Sequence, residues 1–351
     1  MNNTKRNCKE WNVDASIVSK RTINPIREVV FNLQSTPNPN KEYISLALGD
    51  PTYYGNFKID DNCVEAVIKQ LRSFKANGYP PADIVIASGA SDALNITIGA
   101  LCNEADLNQL VELIDENTAC ILINNPSNPC GSNFSQEHLE AILSICETYK
   151  LPIISDEIYE DMVFNSSKFY PIANLTTTVP VLKISGLAKR FLVPGWRVGW
   201  VFIHDRNDVL KNVRSGLNSL ANLILGANSL MQHALPDMLK NTPESFYQTT
   251  ITQLEENARL SAEILAKIPG LNVIIPEGAM YIMFGINFNQ FKDFKNDVDF
   301  TEKLVQEESV LCLPGTCFNY PNYIRIVITA PPEKLREAYT RIKEFCDRHH
   351  K

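Results

Sequence analysis

No stretch of the sequence approaches the ~20 consecutive apolar residues that a bilayer-crossing helix needs. Residues 1–20 alternate polar and apolar side chains without a hydrophobic h-region, so no membrane association is expected and the chain reads as cytoplasmic. Positive charge is also scarce. A formal net charge of -7, with only short basic patches such as Lys5-Arg6, argues against a nucleic-acid binder, which needs clustered cations to meet phosphates. The nine cysteines (8, 63, 102, 120, 130, 146, 312, 317, 346) are odd in number, lack C-x-x-C spacing and mostly lie in apolar segments. Reduced, buried thiols fit that pattern. The five histidines contain no H-E-x-x-H, and the terminal pair His349-His350 reads as frayed tail, so we expect no metal. Sequons at Asn95 and Asn174 carry no weight without an export signal. Internal repeats and low-complexity segments are missing too.

What is present is a large apolar complement, 44% of 351 residues, enough for two domains. Five β-rich runs, 84–87, 119–124, 152–155, 181–184 and 198–203, each end in polar or glycine-containing sequence and alternate with amphipathic helices. This is an α/β pattern with a mostly parallel sheet flanked by helices. Leu139, Ile142, Leu143 and Cys146 repeat at i, i+3, i+4, i+7 behind a cap at Ser135, as a crossover helix should. Ile251, Leu254, Ala258 and Leu265 mark a long helix. Beyond Ile268-Pro269-Gly270, strands around 273–275, 280–284 and 324–328 predict a smaller α+β domain, closed by a helix that starts at Pro332 and carries Leu335, Ala338, Tyr339, Ile342 and Phe345 on one side.

In open α/β sheets the ligand lies beyond the carboxyl ends of the strands, and the chemically suggestive residues collect there. Ser88-Gly89-Ala90-Ser91 opens a helix after the first strand, so its N–H groups and the Ser91 hydroxyl suit a phosphate, although a capped turn is the commoner explanation of such a sequence. The loop Asn124-Asn125-Pro126-Ser127-Asn128-Pro129-Cys130-Gly131 is stiffened by two Asn-Pro steps, and Asn128 is a candidate donor to a phenolic oxygen. Asp156 ends the third strand; Glu157 should face the other way by alternation. Tyr159 follows. Lys189 sits between Gly186-Leu187-Ala188 and Phe191-Leu192-Val193, poor company for a solvated charge, with Ser185 four residues before it and Arg197 eight after, both candidates for one phosphate. A desolvated lysine can form an imine, an aspartate can keep a pyridine nitrogen protonated, and an arginine can clamp a phosphate. That trio points to pyridoxal 5'-phosphate. Arg325 interrupts the apolar strand Tyr323–Ile328, where a charge is expensive unless paired; a substrate carboxylate or an internal salt bridge would pair it.

Several blocks together resemble the class I, fold type I aminotransferases, and within that family the branch acting on tyrosine. They are Asn24-Pro25-Ile26-Arg27, Leu48-Gly49-Asp50-Pro51-Thr52, Asn77-Gly78-Tyr79, Asn125-Pro126-Ser127-Asn128-Pro129-Cys130-Gly131, Ser185-Gly186-Leu187-Ala188-Lys189-Arg190, Pro194-Gly195-Trp196-Arg197 and Glu277-Gly278-Ala279-Met280-Tyr281, in order from about Asn12 onward. The resemblance implies a homodimer that moves an amino group from L-tyrosine to 2-oxoglutarate, with the site between subunits. It implies Lys189 as Schiff-base lysine and proton shuttle, Asp156 on the pyridine nitrogen, and Asn128 and Tyr159 on the 3-oxygen. Ala90, Ser91, Ser185 and Arg197, with Gly89 in the same turn, would hold the phosphate, Arg325 and Gly49 the substrate carboxylate, and Tyr79 the phosphate of the other subunit. The expected division is 1–50 as an N-terminal arm with part of the small domain, 51–240 as the cofactor-binding domain, and 241–351 as interdomain helix and small domain.

Two blocks implied by the resemblance are absent. Only Pro80-Pro81-Ala82 separate Asn77-Gly78-Tyr79 from the strand near Asp83, and a strand, an aromatic loop that stacks on the cofactor and a second strand are missing between Cys102-Asn103-Glu104 and Asp106. We therefore expect weakened transamination and an exposed edge at 119–124. Three alternatives stay open at this point: a silent partner subunit, a pyridoxal-phosphate lyase, and a serine hydrolase built on Gly89-Ala90-Ser91-Asp92-Ala93, a near match to G-x-S-x-G.

Overall fold

The structure, a computed structural model, describes residues 36–47, 51–73, 84–87, 111, 114–115, 118–221 and 227–351. In chain order it runs β1 (Ile44–Ser45), α1 (Asp61–Ser73), β2 (Ile84–Ala87), β3 (Ile121–Asn124), α2 (Gln136–Tyr149), β4 (Ile153–Asp156), β5 (Val181–Gly186), α3 (Leu187–Arg190), β6 (Gly199–His204), α4 (Lys211–Ala221), α5 (Ser229–Asn241) and α6 (Glu244–Leu265). There follow β7 (Leu271–Ile274), β8 (Tyr281–Ile286), α7 (Asp297–Glu308), β9 (Val310–Leu311), β10 (Leu313–Pro314), β11 (Tyr323–Val327) and α8 (Pro332–His349).

A five-stranded sheet has the order β2-β6-β5-β4-β3. β3, β4 and β5 are parallel neighbours, and β6 runs against both β5 and β2. Four strands thus share one direction, as the sequence pattern predicts for a mostly parallel sheet. The crossover helix α2, between β3 and β4, buries one face of the sheet, and α4, which follows β6, buries the other. Ile121, Ile123 and Ile153 pack on Leu139, Ile142, Leu143 and Cys146 of α2, while Ile154, Leu182, Ile184 and Val201 pack with Leu217 of α4 on the opposite face. Each such Leu or Ile contributes roughly 1.5–3 kcal/mol by leaving water. Helix α2 starts where expected, since the Ser135 side chain accepts from the His138 N–H, and it ends at Lys150 in the left-handed region. β3 is the last strand in the order among the described residues.

The second sheet, β10-β11-β8-β7, is antiparallel and packs against α6, α7 and α8. Leu335, Ala338, Tyr339, Ile342 and Phe345 of α8 are all buried there, following the predicted stripe. On α6 the stripe shifts: Leu254, Ala258 and Leu265 are buried with Tyr247, Asn257 and Ser261, while Ile251 is only half-buried.

Registers Asn124↔Asp156 and Asp156↔Ile184 place the carboxyl ends of β3, β4 and β5 side by side. The loop after β3, the turn after β4 and helix α3 after β5 therefore open at one edge. Onto that edge the second sheet delivers the segment 277–281. Gly131, at φ +75°, accepts at its carbonyl from the N–H groups of Glu277 (2.8 Å) and Gly278 (3.0 Å), and the Met162 carbonyl accepts from Ala279 (2.8 Å). A Cβ on Gly131 would stand 2.6 Å from the Pro276 Cβ and 2.8 Å from the Tyr281 carbonyl, so only glycine permits this approach.

Candidate active site

Helix α3 is a single turn, anchored when Leu187 donates to the Val198 carbonyl (3.0 Å) and Phe191 to that of Leu187 (3.1 Å). It presents Lys189 half-buried, with Nζ 3.6 Å from the Met280 Sδ and 5.6 Å over the Tyr159 ring. The next residue, Arg190, is tied to Asp161 (3.1 Å) and lies 4.9 Å over the Tyr247 ring of α6, which fixes the turn from outside.

Asp156 is the last residue of β4 and half-buried. Burial raises its carboxyl from the ordinary 3.8 to about 6, although the Ile158 N–H and the Lys189 cation pull it down. Glu157 points to the other face, as alternation requires, where it takes the Ser155 hydroxyl (2.8 Å) and Lys183 (3.2 Å).

Tyr159, buried in the turn after β4, shares a 2.7 Å hydroxyl contact with Tyr281, the first residue of β8, the rings meeting edge to face. Burial lifts the Tyr159 hydroxyl well above the usual phenol value, with Tyr281 adding to the effect. Burial acts the same way on Tyr281, but the Lys189 and Arg325 cations outweigh it and leave that hydroxyl below the usual value.

Arg325 on β11 is buried to 3% exposure. Its Nη1 donates to Asn128 Oδ1 (2.9 Å), its Nη2 to the Ala47 carbonyl (2.8 Å), and Nε has no partner. Tyr281 and Phe318 flank the guanidinium at 4.4 and 4.9 Å. No carboxylate pairs with it among the described residues, so the internal salt bridge weighed above is not what holds it. Asn128 is itself fixed, its N–H on Asn124 Oδ1 (2.6 Å), and with Oδ1 turned to Arg325 its Nδ2 is the end left for donating.

Lys189, Asp156, Tyr159, Asn128 and Arg325 are thus gathered at one edge. Ser185 goes elsewhere: β5 extends two residues beyond the predicted run, and the serine hydroxyl donates to Glu160 (3.1 Å), a carboxylate already paired with Lys183. With no phosphate present, that hydroxyl is thus engaged by Glu160. Arg197 is exposed, in the left-handed region, with Nη1 on the Pro194 carbonyl (2.9 Å). Gly49, Tyr79, Gly89, Ala90 and Ser91 lie outside the described residues. Tyr281 and Met280 were missed as site residues. The signal was present, since both end a quoted block, but only the contact with Tyr159 and Lys189 shows their place.

Residues 100–342 match the family described as aminotransferase class I and II. The tyrosine aminotransferase of Mus musculus is 44% identical, the alignment covering 97% of this chain and 88% of that protein; that of Dictyostelium discoideum is 42% identical, covering 98% of each. Among solved structures, tyrosine aminotransferase from Leishmania infantum has a TM-score of 0.92 at 33% identity, covering 97% of this chain and all of the other. Alanine aminotransferase from Pyrococcus furiosus gives 0.88 at 25% identity, covering 96% of this chain and all of the other. The chain belongs to the class I and II aminotransferases, and the serine hydrolase alternative falls with that. The alignment to the mouse protein spans 402 positions, more than this chain contains, so part of the relative faces gaps here.

Pyridoxal 5'-phosphate is the cofactor of this class, and the residues present fit it. A primary amine on a pinned turn, a carboxyl raised by burial, and a buried arginine that meets no carboxylate among the described residues stand at one edge of the sheet; these are the partners an aldehyde, a pyridinium nitrogen and a substrate carboxylate require.

Proposed function

We propose that this chain transfers the amino group of L-tyrosine and related aromatic amino acids to 2-oxoglutarate, working as a cytoplasmic homodimer with the site between subunits. The observation that carries the reading is the convergence on the Tyr159–Tyr281 pair of Lys189, Asp156 and Arg325, the last meeting no carboxylate among the described residues. The choice of tyrosine rests on the relatives named above. When bound, pyridoxal phosphate supplies an electron sink conjugated to the substrate Cα.

In this reading Asp156 stays ionised opposite the ring nitrogen and keeps it protonated. Asn128 Nδ2 and the Tyr159 hydroxyl donate to the 3-oxygen. Lys189 Nζ, 3.6 Å from the Met280 Sδ, would be the base that takes the proton from the substrate Cα and shuttles it on. Arg325 holds the substrate carboxylate, helped by Gly49. Arg197 and Ser185, with Gly89, Ala90 and Ser91, would serve the phosphate, and so would the partner subunit's Tyr79. Residues 51–240 carry the cofactor, while 241–351 bring Tyr281 and Arg325 to it.

The test is an absorbance scan of the purified protein carrying pyridoxal phosphate. L-tyrosine should shift its visible band, 2-oxoglutarate should restore it with glutamate formed, and borohydride should fix the chromophore to Lys189 but not to a Lys189→Ala variant. A protein without a visible band, or with one indifferent to L-tyrosine, overturns the reading, and ammonia release in place of glutamate assigns a lyase.

A further inference from the structure

Tyr281 touches the site at a position that the chemistry above leaves without a task. Its ring covers the Arg325 guanidinium at 4.4 Å, and packing alone would explain a phenylalanine there. The hydroxyl is the additional feature: it lies 2.7 Å from that of Tyr159, both side chains being buried. Each phenol carries one hydrogen, so across this contact one hydroxyl donates and the other accepts.

We propose that Tyr281 is a positioning residue whose hydroxyl donates to Tyr159, committing the single Tyr159 proton to the 3-oxygen of the bound cofactor. The inference rests on the pyridoxal phosphate reading. The direction follows from proton counting: with its one hydrogen committed to the 3-oxygen, Tyr159 can only accept across the 2.7 Å contact, and Tyr281 is held in place to donate. The Tyr281 backbone follows directly on residues 277–279, which the contacts with Gly131 and Met162 fix. The rings stand at 80° with centroids 5.7 Å apart, which directs the hydroxyls at each other instead of stacking the faces. A donor whose own oxygen accepts a hydrogen bond is polarised and donates more strongly, so the 3-oxygen is stabilised as an anion.

Holoprotein of the wild type, Tyr281→Phe, Tyr159→Phe and the double variant should be titrated by visible absorbance. Tyr281→Phe removes one oxygen and keeps the ring over Arg325, and circular dichroism melts verify that it folds. Its absorbance midpoint should rise by roughly half to one pH unit, the size of one net hydrogen bond. In the Tyr159→Phe background the same change should add nothing, because Tyr281 acts through Tyr159. An unchanged midpoint in folded, coloured Tyr281→Phe, or an equal shift with Tyr159 already removed, overturns the proposal while leaving the cofactor in place. A wild-type protein that never colours with pyridoxal phosphate defeats the underlying reading instead.

Discussion

Two charged groups dominate the site at the scale of single residues, the half-buried Asp156 and the buried Arg325, and among the described residues neither is held in an ion pair. Asp156 has its carboxyl raised to about 6, so between its unfolded value near 3.8 and about 6 the folded protein binds more protons than the unfolded one. Stability of the cofactor-free protein therefore falls as pH rises through that window. Asp156→Asn should remove this part of the slope, so cofactor-free Asp156→Asn gains in melting temperature over wild type at pH 8 and not at pH 4, while losing affinity for pyridoxal phosphate. Arg325 is the mirror case. Replacing it by Met relieves a buried charge but leaves Asn128 Oδ1 and the Ala47 carbonyl without their donor, at about 1–3 kcal/mol for a buried acceptor. Arg325→Met should therefore melt below the wild type and lose roughly thirtyfold or more in kcat/KM for L-tyrosine, the scale of a desolvated charge pair. A loss of stability with unchanged kcat/KM would contradict the role given to Arg325.

At the scale of elements, the site depends on one glycine joining two sheets. Gly131 lets the segment before β8 lie on the loop after β3, and this contact carries Met280 to Lys189 and Tyr281 to Tyr159. Gly131→Ala would combine a left-handed alanine with a Cβ 2.6 Å from Pro276, costing about 1–3 kcal/mol of stability. Because the displaced segment holds Tyr281, denaturant unfolding should reveal that loss together with weaker binding of pyridoxal phosphate. Ser135→Ala makes a useful contrast: it removes the α2 cap at about 1 kcal/mol and should leave binding unchanged.

For the whole molecule, the gaps facing the mouse relative matter most. The resemblance puts the ring that stacks on the cofactor in one of the missing blocks, and stacking is worth ~0.5–1.5 kcal/mol beyond burial. Equilibrium titration should therefore show pyridoxal phosphate bound up to about tenfold more weakly than by a full-length relative, with slow turnover; near-normal kinetics would remove this expectation. The sequence by itself determined the crossover helix behind Ser135, the strand ending in Asp156, the stripe of α8 and the family, because periodicity, caps and contiguous motifs are local properties of the chain. It placed Lys189, Asp156 and Asn128 at strand ends for the same reason. Tertiary structure alone decided that Ser185 turns to Glu160, that Arg325 meets no carboxylate among the described residues, and that Tyr281 reaches Tyr159. Those outcomes depend on which segments, 122 residues apart in the case of the tyrosines, come to lie within a hydrogen bond of each other, and no local spacing encodes that.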